Sequence, residues 1–88
     1  MAEAWVDIGR QWNRQGHDIA GQALARTACR FESDIVLVAN GRRGNAKDVM
    51  SIASLRARTG TAVQILASGP DEEDALRALA SLCDDPSA

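Results

Sequence analysis

The first apolar positions recur at every second residue. Ala4, Val6 and Ile8 alternate with Trp5 and Asp7, the signature of a short strand with one buried face. Residues 9–17 are polar and aperiodic, a loop that holds Arg10, Trp12, Arg14 and His17. From about Asp18 to Arg30 the period lengthens to that of a helix. Ala20, Leu24 and Ala28 share one face, Ile19, Ala23 and Thr27 flank it, and Arg26 and Arg30 look outward. Phe31 closes this helix onto the core. Asp34–Ala39 is apolar enough for a central strand. Asn40-Gly41 predicts a hairpin, because both central residues of the tight turn need positive φ, and Arg42–Ala46 is its return strand.

The second half repeats the alternation of periods. Asp48 is placed to cap a helix over Val49–Leu55, its carboxylate accepting a backbone N–H of the first turn. Ile52 and Leu55 take the inward positions, which turns Met50 outward and leaves Val49 open between core and surface. Gly60 interrupts the chain. Ala62–Ser68 alternates as a strand with Val63, Ile65 and Ala67 on one side, and Gly69-Pro70 punctuates. Asp71, Glu72, Glu73 and Asp74 crowd the first turn of a last helix, where the macrodipole favours negative charge. Its core stripe is Ala75, Leu76, Leu79, Ala80, Leu82 and Cys83, and residues 84–88 are expected to fray. The order β-α-β-β-α-β-α with a central hairpin implies an α+β open-faced sandwich: an antiparallel four-stranded sheet covered on one face by three helices. The other face meets water through Trp5, Asp7 and Gln64.

Composition narrows the function. The 88 residues are 45% hydrophobic and 25% charged, which predicts a single globular domain over 1–88 with its core at about 4–83. Such a chain suits a carrier or binding module better than a multi-step enzyme. The longest apolar run, Ile35 to Ala39, is too short to cross a bilayer. The start lacks the basic-then-apolar pattern of a signal peptide, and two lone cysteines, Cys29 and Cys83, build no disulfide framework. A reducing cytoplasm is therefore expected. One histidine and no CxxC give no metal-ligand spacing, and nothing calls for a cofactor. Six of the twelve acids but one of the ten basic residues lie in 70–88, so residues 1–69 carry a net +3. That bias is too weak for nucleic acid and suits an acidic protein partner or a phosphoryl group.

Two stretches carry a specific likeness. Asn40-Gly41-Arg42-Arg43-Gly44-Asn45-Ala46-Lys47-Asp48-Val49-Met50-Ser51-Ile52-Ala53-Ser54-Leu55 resembles the middle of HPr, the histidine-containing phosphocarrier of the bacterial phosphoenolpyruvate-dependent sugar phosphotransferase system. Ala67-Ser68-Gly69-Pro70-Asp71-Glu72-Glu73-Asp74-Ala75-Leu76 is similar to the segment leading into its last helix. The resemblance spans about residues 4–83 and implies sheet order 1-4-2-3. HPr proteins carry Gly-x-His-x-Arg-Pro at the first helix, and counting back from Phe31 puts His17 on the phosphoryl-accepting histidine. Gly16 precedes it one residue closer than in the pattern. Ile19 stands where the arginine is expected and Ala20 where the proline is. Asp48 falls where many HPr proteins have a regulatory serine, Val49 and Met50 on the apolar partner patch, and Arg26 on one of the basic positions.

The resemblance implies a monomeric carrier that takes a phosphoryl group at His17 from an enzyme I-type donor and gives it to a sugar-specific acceptor domain. Such a chain is a substrate of phosphotransferases more than an enzyme. Backbone N–H groups of Asp18 and Ile19, at a helix start expected at one or the other, and Arg14 or Arg10 are the candidates for holding the phosphate. The charge of Asp18 opposes that role, and as an N-cap its carboxylate would compete for the same N–H groups. Asp48 reads either as a simple N-cap or as a fixed charge in place of a phosphorylated serine. Two other functions stay open: an unphosphorylated regulatory module that binds through Arg26, Val49 and Met50, and a structural domain cut from a larger regulatory chain.

Overall fold

A computed structural model describes residues 1–9, 17–58 and 60–84, with 17–20 and 84 described by backbone alone. The elements are β1 (Ala2–Asp7), α1 (His17–Ala28), β2 (Asp34–Ala39), β3 (Arg42–Asn45), α2 (Val49–Ser54), β4 (Ala62–Ser68) and α3 (Glu72–Asp84). The four strands form one antiparallel sheet in the order β1-β4-β2-β3. This is the expected α+β open-faced sandwich, with its expected strand order. Residues 10–16 of the expected loop, Trp12 among them, and residues 85–88 of the tail expected to fray lie outside the described residues, while Asp84 still belongs to α3.

Alternation decides which face is covered. Ile35, Leu37 and Ala39 of β2 and Val63, Ile65 and Ala67 of β4 are buried, and α3 lays Ala75, Leu79 and Cys83 against β1 and β4. Leu76, Ala80 and Leu82 pack around them. The opposite face starts a cross-strand row at Trp5, paired in register with Gln64, then Val38, then Arg43. Trp5 there is 65% exposed, as the strand's period demands.

The hairpin turn puts Asn40 at φ 54° and Gly41 at φ 74°, both left-handed as a type I′ turn requires. Gly44 in β3 serves closeness. A Cβ there would lie 2.8 Å from the Ser51 carbonyl oxygen, so only glycine lets α2 sit directly on this edge strand.

Some boundaries differ from the sequence reading. Helix α1 ends at Ala28 because its last turn tightens: Arg30 N–H donates to the Thr27 carbonyl at 3.0 Å and Phe31 N–H to that of Ala28 at 3.2 Å. Its buried stripe is Gly21, Leu24, Ala25 and Ala28, with Ala23 and Thr27 only half-buried. The helix packs against both α2 and α3, which turns the stripe toward Ala25. Strand β3 stops at Asn45 and α2 at Ser54.

Asp71 does more than meet the dipole of α3. It precedes the helix, and its main-chain carbonyl accepts the Ala75 N–H at 3.0 Å. Its carboxylate accepts the N–H groups of Glu32 and Ser33, each at 3.0 Å, and the Ser33 hydroxyl. The entrance of β2 is thereby pinned to the start of α3. The Ser33 hydroxyl and these backbone N–H groups hold the Asp71 carboxyl below its ordinary pKa.

Candidate functional site

Helix α1 starts at His17, so the histidine stands in the first helical turn and not just ahead of it. Asp18 then occupies a position inside that turn and not the N-cap, where an acid is favoured by the dipole. The N–H groups of a first turn have no acceptor within their own helix, and those of Asp18 and Ile19 are among them. Arg10 and Arg14 lie outside the described residues, and of His17, Asp18, Ile19 and Ala20 only the backbone is described.

Helix α2 supplies the opposite wall. It has six residues, too few to persist on propensity alone, and it is secured at both ends. Asp48 is the N-cap, accepting the Met50 N–H at 3.0 Å and the Ser51 hydroxyl at 3.2 Å. At the other end the hairpin reaches across. Asn40 Nδ2 donates to the carbonyls of Leu55 at 3.0 Å and Arg56 at 3.2 Å, and Arg42 donates to that of Ser54 at 3.0 Å. Carbonyls that a helix end leaves orphaned are so satisfied.

Ile52 and Leu55 are buried, while Met50 is 77% and Val49 37% exposed. Met50 thus faces out as expected, and Val49 sits at the border between core and surface. Arg26 is exposed on α1, which packs on α2. Among the described residues no hydrogen bond or ion pair joins these three.

Between the helices and down to the core runs a largely apolar groove of about 560 Å³ whose walls include Gly21 of α1, Val49, Ile52 and Ala53 of α2, Arg56 and Arg58 beyond it, and the core residues Ile8, Leu24, Leu37, Val63 and Cys83. Gly21 closes the helix–helix approach, with Ile52 Cγ2 3.6 Å from where its Cβ would be. His17 occupies the position one turn before Gly21 on the same stripe of α1. Arg56 was not singled out by sequence reasoning. It stands just past α2 with φ 55°, a conformation usually given to glycine after a helix. The available signal was the absence of glycine behind a helix expected to end at Leu55.

Cys29 is exposed and Cys83 buried. Burial pushes the Cys83 thiol up to about 12, which leaves it a core filler. Among the described residues no cluster of histidine, cysteine or acidic side chains could hold a metal ion, and no helix is long and apolar enough to cross a membrane.

Residues 13–85 match the family model of the PTS HPr component phosphorylation site. The chain belongs to the HPr family. Its relatives include the HPr-like protein Crh of Bacillus subtilis, 46% identical over 81 residues that cover 92% of this chain and 93% of that one. The phosphocarrier protein HPr of Mycoplasma capricolum is 35% identical over 63 residues, 72% of this chain and 71% of that one. The crystal structure of the phosphocarrier HPr from Bacillus anthracis superposes with a TM-score of 0.82 at 32% identity, covering 92% of this chain and 94% of that one. Membership of this phosphocarrier family fits the strand order and the placement of the sole histidine at the head of α1.

Proposed function

We propose that this HPr-family chain carries a phosphoryl group on His17, taking it from an enzyme I-type donor and passing it to a sugar-specific acceptor domain. A ring nitrogen of the neutral imidazole attacks phosphorus. The N–P bond forms as the donor's bond to the same phosphorus breaks, and the ring proton stays on the other nitrogen. First-turn N–H groups, among them those of Asp18 and Ile19, face the growing negative charge, with Arg14 as a further cation. Asp18 works against the transfer through its own charge. Arg26, Val49 and Met50 form the docking surface. One chain suffices for this chemistry, so the carrier works as a monomer. The observation that carries the reading is the only histidine of the chain, at the start of α1 in a fold matched by the phosphorylation-site family from 13 to 85. Incubation with enzyme I and phosphoenolpyruvate tests it. The carrier gains one phosphoryl group that is acid-labile and absent in His17→Ala, and no gain at high enzyme concentration refutes it.

A second reading draws on Ile19 and Ala20, which replace the arginine and proline of the motif, and on the 46% identity to the HPr-like protein Crh. Under it the chain regulates a partner through Val49, Met50 and Arg26 without carrying phosphate, and Asp48 is a permanent charge that no serine kinase can switch.

A further inference from the structure

We propose that Arg56 supplies the guanidinium that meets the phosphoryl group at His17, replacing the arginine whose place in the motif is held by Ile19. This rests on the carrier reading and assigns the cation that Ile19 cannot supply.

Most of the described basic side chains are too far from His17 or already engaged. Arg26 is nine residues along α1 from His17, about 13 Å at the rise of a helix. Lys47 Nζ is committed to the Phe31 carbonyl at 2.9 Å, Arg42 to Ser54, and Arg77 to Asp74 at 3.0 Å. Arg43 points from the uncovered face of the sheet, in the row of Trp5. Arg30 lies beyond the far end of α1. Of the basic side chains among the described residues, Arg56 and Arg58 remain. Both line the groove that Gly21 walls, one helical turn from His17, and no described residue pairs with either guanidinium.

Arg56 is further marked by its backbone. A φ of 55° disfavours any residue with a Cβ, and glycine would hold the same turn without that cost. An arginine kept there, with its carbonyl and that of Leu55 clamped by Asn40, has its Cα fixed at the rim of the groove. Pre-set cations of this kind stabilise charge developing on a transferring group. Arg58 instead belongs to the turn into β4, where its N–H donates to Thr61 Oγ1 at 3.0 Å and its carbonyl accepts the Thr61 N–H at 2.8 Å.

Arg56→Gly tests the assignment without threatening the fold, because glycine accepts the observed φ. Phosphorylation by enzyme I and phosphoenolpyruvate is timed for wild type, Arg56→Gly, Arg56→Lys and Arg58→Ala, and the His17 ring is titrated by NMR in the unphosphorylated proteins. The glycine variant is slowed by about ten- to a hundredfold, lysine restores part of the rate, and Arg58→Ala stays near wild type. The His17 pKa rises by a few tenths of a unit or more when the neighbouring charge goes. A wild-type rate with an unmoved titration in Arg56→Gly overturns the proposal. If wild type takes no phosphate, the carrier reading falls, and the titration alone still decides whether Arg56 faces His17.

Discussion

Asp48 is where a structural and a regulatory reading of one side chain can be separated. It accepts the Met50 N–H at 3.0 Å and the Ser51 hydroxyl at 3.2 Å, and the helix it caps has only six residues. Removing the carboxylate orphans a first-turn donor in a helix with little else to start it. Asp48→Ala is therefore expected to cost about 1 kcal/mol. For a domain of this size, with a urea m-value of about 1 kcal/mol/M, the unfolding midpoint drops by about 1 M. Asp48→Ser keeps a capping oxygen and loses the charge, so its midpoint should stay within about 0.3 M of wild type, the difference reflecting the dipole. Urea unfolding followed by far-UV circular dichroism reads both. A serine variant as unstable as alanine, or an alanine variant as stable as wild type, refutes the capping argument. The same pair then goes to enzyme I. If the cap is the whole role of Asp48, serine transfers phosphate as wild type does. If the permanent charge sets partner choice, the serine variant changes its rate while keeping its stability.

Three further outcomes follow from the geometry. Arg56→Gly should stabilise the fold by roughly 0.5–1 kcal/mol, relief of the left-handed backbone outweighing the entropy of glycine, and the same urea titration measures it. The Asp71 carboxyl is held below its ordinary pKa, so its stabilisation is complete above that ordinary value and lost as pH falls through the lowered one. Glu72, lowered by the Gly69 N–H and the Met1 ammonium 3.2 Å away, acts in the same sense. Thermal unfolding between neutral and acid pH should show the loss, and Asp71→Asn should flatten it while lowering Tm at neutral pH. A thiol reagent at neutral pH should label Cys29 alone in the native protein and both cysteines in denaturant, since Cys83 is buried with its pKa pushed up to about 12.

The fold was legible because period, turn chemistry and caps agree. Asn40-Gly41 wrote its turn into two residues, Asp48 its cap into one, and the two central strands their buried faces into strict alternation. The less legible features depend on neighbours distant in sequence. Asp71 looked like one of four acids at a helix start, yet its partners are residues 32 and 33, which no local pattern connects to it. The stripe of α1 rotated toward Ala25 because two helices, not one surface, lie against it. Arg56 carried no motif, and only the backbone conformation behind α2 and the shared groove bring it into view. At the site, counting back to Phe31 aligned His17 with the motif's histidine, but its place inside the first turn of α1 shows only in the backbone. The loop holding Arg10, Trp12 and Arg14 had no period to read.

Whether the imidazole of residue 17 takes phosphate decides between a carrier and a regulator. The chain has one histidine, so a phosphorus resonance of the phosphohistidine type, obtained after enzyme I and phosphoenolpyruvate treatment, needs no mapping. Phosphorus NMR should show one such signal, stable in base and lost in acid. Silence there while authentic HPr in a parallel tube is phosphorylated would contradict the carrier.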